Sequence, residues 1–129
     1  MRKAGVLMPV SALPSRVGAG ELGEAAFHFI ELLKKNHVKI WQILPLNPVG
    51  YGNSPYQPYS SCAGDEIYIS LDKLAEDGLL KTAPEAFLQN AKRVDYEAVR
   101  QYREPFLREA FEVFTKKKGI WNHCSWNSP

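Results

Sequence analysis

The chain has 129 residues and a formal net charge of +2, with 45% hydrophobic and 23% charged residues. This composition is typical of a globular protein and excludes collagen-like, disordered and disulfide-rich chains. Basic and acidic residues alternate along the sequence, so there is no polyanion-binding footprint and we expect no nucleic-acid partner.

Two cysteines, Cys62 and Cys124, are too few for a disulfide scaffold, and their spacing fits no metal or redox motif. Near the amino terminus, Pro9 and Ser11 interrupt an apolar stretch that would otherwise imitate a signal peptide. No apolar run has the length of a membrane span. We therefore expect a cytoplasmic protein with reduced thiols, no metal site and no membrane partner; the pattern does not indicate an oligomeric state.

The first half of the chain predicts a strand, a helix and a second strand. Residues 5–10 (GVLMPV) form a short apolar run that predicts a strand covered on both faces, followed by a loop over 11–20. Apolar residues at helical spacing predict an amphipathic helix over 22–36, and 39–44 (KIWQIL) predicts the second strand. This order indicates a βαβ unit with parallel strands, and it makes the loops at the strands' carboxyl ends candidate sites.

The second half of the chain is predicted to be mainly helical. Residues 66–71 alternate like a short strand, and 71–80 predict one or two helical turns that are ended by Gly78. Over 95–118, apolar spacing predicts either one helix kinked at Pro105 or two abutting helices. The uncharged segment 119–129 differs from everything before it. A truncation or a change of reading frame near residue 119 would explain this change, and so would a true terminal segment that packs its tryptophans.

Residues 18–23 match the pattern G-x-G-x-x-G between a predicted strand and a predicted helix. That pattern occurs in dinucleotide-binding proteins, which also place an acidic residue about twenty positions later to hold a ribose. Here the corresponding stretch is 39–43 (KIWQI), which contains no acid. A loop that begins a helix is the favoured interpretation, with nucleotide binding as the alternative.

The segment 45–64 contains four prolines, three glycines and three tyrosines, which is typical of a structured loop rather than a flexible linker. Within it, residues 51–57 (YGNSPYQ) combine aromatic faces with neutral hydrogen-bonding groups. A sugar offers an apolar C–H face for stacking and uncharged hydroxyls, so this mixture suits a sugar ligand. A loop whose tyrosines pack for structural reasons would have the same composition.

The sequence shows no convincing set of catalytic residues. Asp65 and Glu66 are adjacent, and in a strand their side chains would point to opposite faces, which makes a poor pair for acid–base chemistry. We expect structural roles for the three histidines, His28, His37 and His123. We expect a solvated helix face to carry three further acids, Asp72, Glu76 and Asp77.

Three stretches together resemble one enzyme family. They are GVLMPVSALPS, IWQILPLNPVGYGNSPYQPYSSCAGDEIYISL and YREPFLREAF. Over about residues 4–118 the chain resembles the amino-terminal part of the 4-α-glucanotransferases, which are also called amylomaltases or disproportionating enzymes. The combination of WQ-x-LPL with GYG-x-SPYQ is the most specific part of the match.

The resemblance implies a retaining enzyme with a (β/α)8 barrel that transfers 1,4-α-glucan segments to a glucan or glucose acceptor without a cofactor. It implies that residues 1–118 are the amino-terminal portion of this barrel, with a helical insertion from about residue 72. The barrel would be incomplete, because about two strand–helix units are present where eight are needed. The family's catalytic carboxylates lie on later strands, so we assign no catalytic residue and expect the chain alone to be inactive and prone to aggregation.

The resemblance also assigns candidate substrate-binding residues within 51–57. Tyr56 matches the family tyrosine that stacks on the sugar at the cleavage point, and Ser54 matches a neighbouring hydrogen-bonding residue. Tyr51 matches a tyrosine of an accessory glucan site in some members. Asn53 departs from the Asp that is common at its position, which leaves the SPYQ core intact.

Three hypotheses therefore follow from the sequence, in order of preference. The first is the amino-terminal part of a 4-α-glucanotransferase, with an α-glucan or maltooligosaccharide as substrate. The second is a noncatalytic glucan-binding fragment, which the tyrosine-containing loop permits. The third is a nucleotide-binding protein, which depends on residues 18–23 alone.

Overall fold

The computed structural model describes residues 2–50, 56, 58–87 and 93–118. The described chain contains a two-stranded sheet, three α-helices and two short 3-10 turns. The segment 119–129, with its differing composition, lies outside the described residues, as do Cys124 and His123.

A parallel pair of strands forms the centre of the described structure. Strand β1 (Gly5–Leu7) pairs in parallel with β2 (Ile40–Gln42), with Val6 opposite Trp41. Helix α1 (Glu24–Lys35) connects the two strands. The predicted βαβ unit and its strand direction are confirmed.

Both strands are shorter than predicted, and β1 is also more exposed than predicted. The prediction of a strand over 5–10 is wrong beyond Leu7, because Pro9 cannot donate to a strand ladder and Val10–Ala12 forms a 3-10 turn. The second strand is likewise shorter than the predicted 39–44. The prediction that β1 is covered on both faces is also wrong within the described residues, where Leu7 is 58% exposed.

Helix α1 confirms the amphipathic pattern, although it begins at Glu24 rather than residue 22. Ala26 and Leu33 are buried on one face. Phe29 packs edge-on against Trp41 of β2, with ring centroids 5.1 Å apart. This contact attaches the helix to the sheet.

The predicted strand over 66–71 is wrong. Glu66–Tyr68 is a 3-10 turn, because the Asp65 carboxylate accepts a hydrogen bond from the Ile67 backbone N–H at 3.0 Å and thereby favours a turn. Ser70 then caps α2 (Leu71–Glu76), as a short side-chain oxygen does at many helix starts.

Helix α2 ends as the sequence pattern predicts. Gly78 has φ +67°, a left-handed conformation that glycine adopts without steric cost and that commonly ends helices. The backbone N–H of Gly78 donates to Ala75, which satisfies a carbonyl of the last turn.

Helix α3 (Tyr96–Lys118) is one continuous helix with Pro105 in its interior. The alternative of two abutting helices is therefore wrong. Pro105 is exposed and lacks a backbone N–H, so the helix loses one hydrogen bond on its solvent side. Val99 and Ala110 are buried and mark the face that packs inward.

The apolar core of the described residues contains two clusters, and the segment that follows β1 contributes to both. The first surrounds Val10, Leu13 and Ala26. The second surrounds Ala19, Ile67 and Val99, and joins α3 to the turn after Asp65. Tyr68 packs against both clusters and so connects them.

A buried ion pair joins three distant segments. Arg103 of α3 is 1% exposed, and its Nη1 donates to Glu21 Oε2 at 2.9 Å. Its Nη2 donates to the backbone carbonyl of Ile69. The other carboxylate oxygen of Glu21 accepts from Ser70 Oγ at 2.8 Å. The pair therefore ties the loop before α1 to the start of α2 and to α3.

Removing the Arg103 guanidinium will leave the Glu21 carboxylate buried without its counter-charge. We expect Arg103→Met to reduce the free energy of unfolding by about 3–5 kcal/mol, the cost of breaking a buried pair. Arg108 of the same helix pairs with Glu104 on the surface, so Arg108→Met should cost less than about 1 kcal/mol. Urea unfolding followed by circular dichroism measures both, and equal effects would contradict this role for Arg103.

Candidate functional site

The carboxyl ends of β1 and β2 lie on the same side of the sheet because the strands are parallel, and two long loops leave from there. We call residues 45–64 the tyrosine loop. The structure describes its outgoing limb (45–50), its returning limb (58–64) and Tyr56, whereas 51–55 and 57 lie outside the described residues. Three of the four predicted site residues, Tyr51, Asn53 and Ser54, are therefore not placed.

The two limbs of the tyrosine loop are joined by hydrogen bonds. The Asp65 backbone N–H donates to the Leu46 carbonyl at 2.7 Å, where the limbs meet. Further out, Asn47 Nδ2 donates to Ala63 O at 2.9 Å, and Tyr59 N donates to Pro48 O at 3.1 Å. These bonds close the loop at its base and fix the distance between its limbs.

The last described contact between the limbs is an antiparallel bridge between Val49 and Pro58. Tyr56 lies just beyond it and is 72% exposed, and Tyr59 on the returning limb is 79% exposed. The loop, which is closed at its base, thus carries two tyrosines that are largely exposed to solvent. The loop therefore presents aromatic surface at the carboxyl end of the sheet, where ligands bind in α/β proteins.

The base of the loop is held by an ionic cluster that the sequence did not indicate. Arg100 of α3 donates to both carboxylate oxygens of Asp65, at 2.9 and 2.6 Å, and to Glu66 Oε1 at 3.0 Å. Hydrogen bonding to Asp65 raises the pKa of Arg100 above its ordinary value. The expectation that Asp65 and Glu66 point apart is wrong, because both lie in a turn and contact one guanidinium.

A cavity of about 310 Å³ lies between the base of the tyrosine loop and the loop after β1. Val10, Leu46 and Val49 supply apolar wall, and Tyr68 and Arg100 supply polar groups. Burial, followed by the charge of Asp65, raises the pKa of Tyr68 above its ordinary value.

The glycine motif at 18–23 has a packing explanation. A Cβ on Gly20 would lie 2.1 Å from the Val10 carbonyl oxygen, and one on Gly23 would lie 2.7 Å from Ser70 Oγ. Gly18 has φ +93°. These positions need glycine because backbone and side chains approach closely, which supports the interpretation of a loop that begins a helix.

Replacing Gly20 by alanine will test this packing. The added methyl would contact backbone atoms that cannot move aside, so we expect Gly20→Ala to lower the free energy of unfolding by at least about 1–3 kcal/mol. A Cβ on Gly64 meets no atom within 4 Å, so Gly64→Ala should leave the urea midpoint nearly unchanged. Tolerance of alanine at residue 20 would show that close packing does not require glycine there.

The other candidate groups have ordinary partners. His28 is exposed on α1 between Glu24 and Glu31. Asp72 pairs with Arg16, and both side chains are substantially exposed, as expected for a solvated helix face. Among the described residues, no three His, Cys, Asp or Glu side chains form a metal-binding group, and no helix could cross a membrane.

The parallel βαβ unit, with its aromatic loop at the carboxyl end of the second strand, defines an α/β protein whose candidate site lies at the strand ends. The family model described as 4-alpha-glucanotransferase matches residues 8–125. The chain therefore belongs to the 4-alpha-glucanotransferase family.

Individual relatives agree with this assignment. The chain is 45% identical over 118 residues to a 4-alpha-glucanotransferase of Synechocystis sp., covering 88% of this chain and 23% of that protein. It is 41% identical over 116 residues to the 4-alpha-glucanotransferase of Thermus thermophilus, covering 90% and 23%. The chain thus spans about a quarter of the length of these relatives.

A solved structure is similar over nearly the whole chain. It is the amylomaltase from Streptococcus agalactiae in complex with acarbose, with a TM-score of 0.86 and 34% identity. The match covers 95% of this chain and 25% of that one. Fold and family are therefore shared over the region that contains both loops.

Proposed function

We propose that this chain contributes the amino-terminal portion of the barrel of a 4-α-glucanotransferase, and that its tyrosine loop binds the α-glucan. The observation that carries the proposal is the exposed Tyr56 on a loop closed at its base, at the carboxyl end of β2, in a member of this family. Residues 1–118 would form this portion, with the helical insertion from about residue 72.

The chemistry of the loop suits an uncharged sugar. A pyranose ring presents C–H groups that pack against an aromatic face, and burying this apolar area favours binding. Tyr56 would stack on the sugar at the cleavage point. Ser54, Asn53 and Tyr51 would supply hydrogen bonds and further aromatic surface around it.

The described carboxylates near the loop are engaged in structural contacts. Asp65 is buried against Arg100, and Glu66 contacts the same guanidinium. A retaining transfer needs one carboxylate as nucleophile and another as acid and base. We assign neither role to this chain, and the glucanotransferase reaction would take place in an enzyme where other segments supply both.

The alternative proposal is glucan binding by this chain without turnover. The same engagement of Asp65 and Glu66 favours it for the isolated chain. Incubating the purified chain with maltotriose and separating the products by chromatography tests whether the isolated chain lacks turnover. New, longer maltooligosaccharides would show that the isolated chain catalyses transfer.

Stacking of a sugar on Tyr56 predicts different glucan affinities for two substitutions at this position. We expect Tyr56→Ala to weaken maltoheptaose binding about tenfold, as loss of an aromatic contact of about 1.4 kcal/mol would. Tyr56→Phe keeps the ring face and should retain most of the affinity. Titrations followed by saturation-transfer NMR measure both, and equal affinities for the alanine variant and the unaltered chain would contradict stacking.

Transfer activity is testable in a chimera. We expect this chain's residues 4–118, substituted for the matching segment of the Thermus thermophilus relative, to support disproportionation of maltotriose, because the two are 41% identical there. Tyr56→Ala in that chimera should reduce kcat/KM about tenfold or more. A folded chimera without activity would contradict the proposed part of this chain in the reaction.

A further inference from the structure

The tyrosine loop and helix α3 are far apart in sequence, yet one side chain joins them. We propose that Arg100 is a positioning residue for glucan binding, which acts through Asp65 to hold the base of the tyrosine loop and thereby the position of Tyr56. This inference rests on the proposed function of the loop.

Asp65 lies where the two limbs of the tyrosine loop meet. Its backbone N–H bonds to the carbonyl of Leu46, so Asp65 joins the returning limb of the loop to the outgoing one. Beyond this point the described contacts between the limbs include two hydrogen bonds and the bridge between Val49 and Pro58. A shift at Asp65 would therefore move the returning limb, and Tyr56 lies just beyond the end of that limb.

The carboxylate of Asp65 is held by several hydrogen bonds. Its side chain is 2% exposed, and one oxygen accepts the Ile67 N–H while both oxygens accept from Arg100. A two-pronged contact between guanidinium and carboxylate fixes orientation as well as distance. The guanidinium is only partly exposed, so solvent weakens the contact less than at a surface pair.

Arg100 lies on a helix that is itself firmly attached to the core. It belongs to α3, which is fixed independently by the buried pair of Arg103, one helical turn further on. Val99 of the same turn is fully buried in the second core cluster. Arg100 therefore extends from a rigid part of the helix to the base of a loop that has fewer supports.

Loop position can be measured without any ligand. Cys62 is an exposed thiol on the returning limb, and a nitroxide label attached to it in a Cys124→Ser background reports the loop. A second label at Glu31→Cys, on the exposed side of α1, gives a distance between the tyrosine loop and this helix by pulsed electron paramagnetic resonance. The full chain is used throughout.

Arg100→Met is the test variant, and Arg108→Met on the same helix is its matched control, because Arg108 pairs with Glu104 on the exposed side of the helix. We expect Arg100→Met to broaden the distribution of label distances and to weaken maltoheptaose binding about tenfold. Arg108→Met should change neither. Arg100→Lys keeps the charge without the two-pronged geometry and should give intermediate values for both quantities.

The outcomes separate the inference from the function on which it rests. A label distribution in Arg100→Met equal to that of Arg108→Met would overturn positioning by Arg100, and so would a broadened distribution with unchanged affinity. If the unaltered chain does not bind maltoheptaose, the proposed glucan site falls, while the distances still decide whether Arg100 fixes the loop. Should Arg100→Met fail to fold, Arg100→Lys decides in its place by the same two measurements.

Discussion

The buried ion pair between Arg103 and Glu21 is the contact on which the arrangement of the segments around the sheet depends. A two-stranded sheet offers little area for packing, so its helices need other attachments. This pair places α3 against the loop that precedes α1, and Ser70 adds the start of α2 to the same group. Burying either of these charges without the other is costly. This arrangement is therefore stable only when the three segments pack together.

From this fixed helix, a second and more exposed ion pair leads to the candidate site. Arg100 contacts Asp65 at the base of the tyrosine loop, and the loop extends from there to Tyr56. Two arginines three positions apart in α3 thus have different roles. Arg103 holds the interior, and Arg100 connects that interior to the surface that we propose binds glucan.

The exposed apolar residues fit a chain that spans about a quarter of its relatives' length. Leu7 on β1 and Ile40 on β2 are exposed, and so is Phe27 on α1, which lies on the crossover between the strands. In a barrel, both edges of such a strand pair are hydrogen-bonded to neighbouring strands and the faces are covered.

The sequence by itself determined the βαβ order, the extent of α1 to within two residues, the end of α2 just before Gly78 and the family. These depend on local periodicity, on glycine geometry and on a long specific motif. Only the tertiary structure decided that 66–71 turns rather than extends, since the Asp65 cap and its contact with Arg100 outweigh a weak alternating pattern. It also decided the partners of Glu21 and Asp65, which are 82 and 35 residues away along the chain. Charged residues carry no local signal of their partners, because a pair of this kind forms only once packing has brought distant segments together.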